Sequence, residues 1–433
     1  MLTYIALGIF ASVLLLIIFD LYDKSLVALA GAILMVVFHV LSPEEAIAAV
    51  DFDTIFLILG MMIMVGIAGK SGVLEWINVQ IAILTKGNPF YIFVFFSLLT
   101  GILSTFLPNV TTILITVPLT IELVKGMGKD PKPYIFAEIF FANIGGDLTL
   151  IGDASNIIIG GASGLNFMDF LSNLWIPVTA VSIFILATFT IIFRKDFRKV
   201  SDRLVESCIA NLTIRKIINK FSQRVMNKGF VTAVVGVFMF SILAFILQAQ
   251  LGLPNYVIAF AGATVLAILT AKRIHIDEAV KSVEWTTLFF FSGLFVVVEG
   301  VEHTGILTEL SSFISNSTDN LLYLALIILW VSGIVSMVIE NIPFVTLMIP
   351  VIFGIQANLG VGQDVNVLWW AMSMGACLGG CGTMIGGSAN VVSVAAAKQC
   401  GVRISFMEYT KFGFPLTMGM LVICSGYLFL RLT

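Results

Sequence analysis

Three acidic residues stand where an apolar chain has least use for them. Asp147 and Asp153 fall within the apolar stretch 134–160 and Glu340 within 321–357, with no lysine or arginine at comparable depth. A carboxylate inside a membrane costs at least ~2.5 kcal/mol on insertion scales and marks an ion or proton pathway by default. Amides, hydroxyls and glycines surround them. Asn109, Thr111 and Thr112 follow Leu107-Pro108, and Asn341 follows Glu340 just before Pro343. Thr149 and Asn156 flank Gly152-Asp153-Ala154-Ser155, while Thr383, Ser388 and Asn390 flank Gly386-Gly387. Glycine permits a sharp exit from a helix, and Ser, Asp or Asn then caps the next half-helix. Half-helix N-termini present positive partial charge and free donors, and unwound carbonyls nearby bind cations. The candidate solute contacts are therefore Asn109, Thr111, Thr112, Asn156, Asn341, Ser388 and Asn390. The candidate coupling-ion residues are Asp147, Asp153, Glu340, Thr149 and Thr383, with H+ or Na+ as the ion. The plainer reading of the Asn and Ser residues is that they only cap helices. Cys377 and Cys381, four apart on one helix face, could meet As(III) as soft thiolates or simply pack as small side chains. The three histidines show no metal spacing, and no resident metal or cofactor is expected.

The elements that must hold these residues follow from composition. Of 433 residues, 59% are hydrophobic and 11% charged, far below the ~25% charge of a soluble domain, so lipid is the main solvent. A net charge of −3 argues against nucleic acid as partner, and five scattered cysteines make no disulfide framework. The expected fold is all-α and polytopic, with about ten transmembrane helices and two re-entrant hairpins. Spans are expected near 3–19, 25–41, 54–69, 134–160, 170–193, 229–248, 255–271, 286–302, 367–397 and 409–430. The hairpins are 89–124 and 321–357, each broken at its middle by the polar, proline-containing tips above. The basic 194–228 segment reads as a cytoplasmic linker, which places both termini outside. Of the 23 Lys and Arg residues only Arg431 then falls on the outer side, as the positive-inside rule requires. The expected setting is the inner membrane of a prokaryote. Glu122, Glu138, Glu299 and Glu302 fall near the interfaces in this scheme and receive no role.

Two halves repeat. Segment 44–77 aligns without gaps to 277–310, pairing Gly60 with Gly293 and Gly72 with Gly305. Segment 100–118 matches 332–350, pairing Asn109 with Asn341 and Pro118 with Pro350; 145–156 matches 379–390, pairing Asn156 with Asn390. Residues 1–193 and 229–433 thus form two repeats. Five crossings and one hairpin in each turn the second copy upside down. Inverted repeats with broken helices are the architecture of secondary transporters, whose site lies between the repeats near the membrane midplane.

The tips Asn109-Val110-Thr111-Thr112 and Asn341-Ile342-Pro343-Phe344, the breaks Gly152-Asp153-Ala154-Ser155-Asn156 and Ser388-Ala389-Asn390-Val391-Val392, and Ser405-Phe406-Met407-Glu408 carry a resemblance. The chain resembles the ion transporter superfamily of arsenite/antimonite permeases, D-type sodium–proton antiporters and melanosomal P proteins, over nearly its whole length. In that family the first break usually reads Gly-Asp-Pro-Pro-Asn, where Ala154-Ser155 stands here. Related carboxylate carriers use Ser-Asn-Thr tips, which neither tip here has. The resemblance implies a scaffold domain, a moving transport domain and a homodimer. With the ionisable residues, it implies a cation-coupled secondary transporter rather than an enzyme, moving a small inorganic or organic solute. Arsenite or antimonite efflux by proton antiport is the first expectation, Na+/H+ antiport the second and organic or inorganic anion transport the third. A soluble partner ATPase remains open, since no Walker A pattern occurs in this chain. Gly145-Gly146-Asp147 is close to the Gly-x-Gly-Asp signature of intramembrane aspartyl proteases, but Ile144 replaces the first glycine.

Overall fold

The structure, a computed structural model, describes residues 2–19, 21–197, 228–315, 318, 320–359 and 364–433. Most of the 194–228 linker, from 198 to 227, lies outside the described residues. Every regular element among the described residues is helical. Apolar runs make the helices, and short polar signals start them. Asn88 and Asn320 each begin a hairpin, their side chains accepting from Phe90 N (3.1 Å) and Leu322 N (2.9 Å). Capping boxes open Pro43–Ala48, Phe167–Ile192 and Phe406–Leu432, satisfying donors that a helix end leaves free.

Seven helices among the described residues are long and apolar enough to cross a membrane. Two of them, Asn109–Gly126 and Asn341–Asn358, are the second arms of the hairpins. Other expected crossings are built from shorter apolar helices, such as Lys24–Val37 and Asn255–Thr270, or from half-helices in series. The halves interlock rather than sit side by side. Lys24–Val37 packs on Trp285–Glu302 of the other half, and reciprocally Phe52–Ser71 packs on Asn255–Thr270.

Each hairpin feeds a broken helix. Pro89–Ser104 packs on Lys132–Asp147, and Leu321–Ser336 packs on Val367–Gly379. Glycine explains both contacts. A Cβ on Gly145 would lie 2.1 Å from Gly101 O, and one on Gly379 would lie 2.4 Å from Gly333 O. Backbone therefore meets backbone at the same place in both repeats, the close approach that small residues allow between membrane helices. The first broken helix resumes as Ala154–Ser163, and the second, after a short Gly380–Gly382 turn, as Ser388–Gln399.

Candidate functional site

Four half-helix N-termini converge: Asn109, Ala154, Asn341 and Ser388 each open a helix, and all four line one cavity of about 380 Å³. Its walls are tied together in two similar knots. At the first tip, Ser104 Oγ donates to Asn109 Oδ1, and Asn109 Nδ2 donates to Asp153 Oδ2 at 2.7 Å. Asp153 also caps its own half-helix, accepting from Ser155 N (2.9 Å) and Ser155 Oγ (2.6 Å). At the second tip the Asn341 amide donates to Ser336 Oγ (2.6 Å), Ala376 O (3.1 Å) and Gly386 O (3.3 Å). Below the tips, Asn156 Nδ2 holds Thr149 O (3.0 Å) and Asp147 O (3.1 Å), while Asn390 Nδ2 holds Gly380 O (2.7 Å) and Thr383 O (2.9 Å). Thr149 Oγ donates to Thr105 O at 2.5 Å and Thr383 Oγ to Met337 O, each tying a break to its hairpin tip. Asn143 Nδ2 donates to Asn390 Oδ1 at 3.1 Å and joins the two breaks. Irregular backbone at membrane depth requires such satisfaction, because lipid supplies no partners.

Of the expected solute contacts, Asn109, Asn341 and Ser388 line the cavity. Asn156 and Asn390 lie behind it, fully buried, with their amides committed to backbone carbonyls. Thr111 and Thr112 are outside its lining, and Thr112 is fully buried. Of the coupling-ion candidates, Asp153 and Glu340 face the cavity, whereas Asp147, Thr149 and Thr383 are buried beside it. Cys377 and Cys381 are also buried; Cys377 Sγ lies 3.3 Å from Ser155 Oγ, and neither thiol lines the cavity.

One expectation is corrected. A lysine does reach the acids: Lys24 Nζ lies 2.7 Å from Glu340 Oε2, from the first turn of a helix in the other half. Asp23, Asp153, Glu284 and Glu340 line the cavity against Lys24, so its formal charge remains acidic. Glu138, which received no role, is fully buried, with Oε1 accepting from Thr120 Oγ at 2.5 Å and Oε2 unpartnered.

Ser373, absent from the sequence-based site, is buried behind the cavity and bridges two of that site's members. Its Oγ lies 2.7 Å from Asp147 Oδ1 and 2.6 Å from Asn156 Oδ1. The available signal was positional, since Ser373, Cys377 and Cys381 recur every fourth residue on one helix face. Asn143 carried the same kind of signal, one turn before Asp147.

Asp23, Glu284 and Thr286 are exposed residues of the lining, so the cavity opens beside them, whereas at the equivalent place in the other half Phe52–Ser71 packs on Ala154–Ser163. Asp51 and Lys70 bracket one helix, and Lys70 pairs with Glu278 (2.8 Å) on the Glu284 side. At the Asp51 end, Thr54 donates to Asp51, and the pair is pressed on Gly161, where a Cβ would lie 2.4 Å from Thr54 Oγ and 2.6 Å from Asp51 Oδ2. The repeat places Glu284, Thr287 and Ala395 at the corresponding positions. Thr287 Oγ donates to Glu284 Oε2 (3.2 Å), and this pair lines the open cavity.

A family model described as "Citrate transporter" matches residues 14–375. An uncharacterised transporter of Mycobacterium tuberculosis is 32% identical over 432 residues, covering 99% of this chain and 98% of that protein. The human P protein is 31% identical over 497 residues, covering 97% of this chain and 58% of the P protein. Among solved structures, the YdaH transporter of Alcanivorax borkumensis, described as having an unusual topology, shares the fold. It aligns with a TM-score of 0.53 and 15% identity, covering 86% of this chain and 83% of that one.

Proposed function

The chain belongs to the citrate transporter family of membrane proteins, and from that premise we propose a cation-coupled secondary transporter that works by alternating access. One observation carries the reading: both hairpin tips and both helix breaks meet at a single cavity that opens at one end and is closed at the other. With the basic segment in the cytoplasm, Lys24 and Lys70 lie on the cytoplasmic side, so the cavity faces inward here. The hairpins are then re-entrant, entering from opposite sides, and their tips meet at mid-membrane.

The lining bears on the solute. Four helix N-termini supply donors and roughly +0.5 charge each, which suits a solute rich in acceptor oxygens. The carboxylates Asp153 and Glu340 oppose a free polyanion. Neutral arsenite or antimonite hydroxide, exported against protons, meets both conditions and is the first reading. A second reading is a carboxylate moved together with cations, favoured by the description of the matching family and by the same N-termini. Sodium–proton antiport is favoured by the acidic lining alone.

Purified protein in liposomes loaded with a pH-sensitive dye tests this directly. A proton gradient is imposed, and arsenite, citrate and sodium are added in turn. Proton movement on adding arsenite supports the first reading, and movement on adding citrate or sodium alone replaces it with the second or third. No solute-driven movement with any of the three contradicts proton-coupled transport of this panel.

A further inference from the structure

Ser373 has one hydroxyl hydrogen and two oxygen neighbours that each need one. Asn156 cannot turn its amide to help, because its Nδ2 already donates to Asp147 O (3.1 Å) and Thr149 O (3.0 Å), and a reversed amide would set oxygen against oxygen. Asn156 Oδ1 therefore accepts from a neighbour, and the Ser373 hydroxyl at 2.6 Å is a nearer and stronger donor than the Cys377 thiol at 3.9 Å. Once that hydrogen is spent, the 2.7 Å contact between Ser373 Oγ and Asp147 Oδ1 lacks one. It is restored only if Asp147 carries a proton and donates it to Ser373. We propose that Asp147 is a neutral carboxylic acid in this conformation, and that Ser373 relays the presence of its proton, through Asn156, to the first helix break.

The surroundings agree. Asp147 is 0% exposed, its Oδ2 has no partner, and no Lys, Arg or His forms an ion pair with it among the described residues. Its titratable neighbours are Asp153, Cys377, Cys381 and Cys424, none of which offers positive charge. A lone buried carboxylate would hold an unmatched charge in a site with few donors. When the proton leaves for the aqueous cavity, Asp147 becomes a carboxylate and the Ser373 hydroxyl turns to it. Asn156 Oδ1 then keeps only the Cys377 thiol, 3.9 Å away. The amide that grips Asp147 O and Thr149 O is freed to move, and the break next to Asp153 loosens. A proton bound out of reach of the solute thereby alters the wall that the solute touches. Ser373 is a positioning residue in this scheme, and Asp147 holds the proton.

This inference rests on the transport reading for its purpose but not for its test. Infrared spectra of the full chain in lipid nanodiscs at neutral pH, without solute, report protonated carboxyl groups by their C=O stretch. Asp147→Asn is expected to remove one component, which Asp153→Asn and Glu138→Gln leave in place. Ser373→Ala is expected to keep that component but shift its position, because the acid loses its acceptor. Addition of sodium is expected to leave it unchanged. A spectrum unaltered by Asp147→Asn overturns the proton assignment, as does loss of the component on adding sodium. A position unmoved by Ser373→Ala overturns the relay. The component in a protein that moves no solute would contradict the transport reading alone.

Discussion

The two helix breaks share a frame and differ in charge. Asn156 matches Asn390 and Thr149 matches Thr383, each making the same kind of backbone contact in both halves, while Asn109 and Asn341 each join the serine five residues before them to a helix break, by different bonds. Asp147, however, corresponds to Cys381, and Asp153 to Gly387. At the tips, Glu340 corresponds to Pro108. What both repeats keep is what an interrupted helix needs in order to exist inside a membrane, namely partners for its free carbonyls and donors. What only one repeat carries is free to serve the cargo. The comparison separates scaffold from chemistry without reference to any ligand, and it extends to the ends of the molecule. Asp51 and Thr54 lie pressed on Gly161, while Glu284 and Thr287 stand apart at the cavity mouth. One sequence pattern thus occupies both a closed and an open arrangement in the same structure.

Breaking the charge asymmetry should have the largest effect. Asp153→Asn is expected to lower coupled transport at least ~100-fold, in the range typical of a lost proton-transfer group, with the folded fraction on size-exclusion chromatography unchanged. Cys381→Ser, at the position matching Asp147, should leave transport within about twofold. Full transport by Asp153→Asn would remove the assigned role. Next comes a symmetric effect. Gly145→Ala and Gly379→Ala each force a Cβ against the backbone of the paired hairpin. Each should destabilise the protein by about 1–3 kcal/mol, seen as similar drops in the melting midpoint in detergent; a loss confined to one would show that the repeats are not mechanically equivalent. A smaller effect attends Lys24→Gln. The half-buried ion pair with Glu340 should be worth about 1 kcal/mol or less, with rising salt erasing the difference between variant and parent. The smallest is expected for Cys377→Ala, whose thiol makes only weak hydrogen bonds to Ser155 and Asn156; arsenite-driven transport reduced more than about tenfold would instead make it a soft ligand.

Much of the frame was legible because it repeats. Asn, Pro and Gly recurring at near-constant offsets located the tips and breaks, and among the matched glycines Gly101, Gly145, Gly333 and Gly379 are explained by the Gly101–Gly145 and Gly333–Gly379 contacts. Features that depend on which way a helix face points were less accessible. Thr111 and Thr112 share the first tip with Asn109, but Thr111 is turned about 200° from it and Thr112, on the same side, stands almost a full turn deeper in the helix, off the cavity wall. The burial of Glu138 is invisible to a hydropathy window, which counts charges but does not see the Thr120 hydroxyl across the helix contact. The Lys24–Glu340 pair joins residues 316 apart in sequence, a separation at which neither spacing nor periodicity signals contact. Ser373 was hidden by its chemistry, since a lone serine in an apolar helix resembles any small packing residue.

Alternating access requires the open and closed ends to exchange places. Cysteines introduced together as Thr287→Cys and Ala395→Cys, in a background without native cysteines, test that exchange. The two positions should meet when the cavity opens toward the other side, by analogy with Thr54 on Gly161 here. Mild oxidation is expected to join them, arrest transport and expose the Asp51 carboxyl to a membrane-impermeant carbodiimide, with reduction restoring activity. A variant that transports solute at the parental rate yet forms no disulfide under oxidation would contradict the exchange.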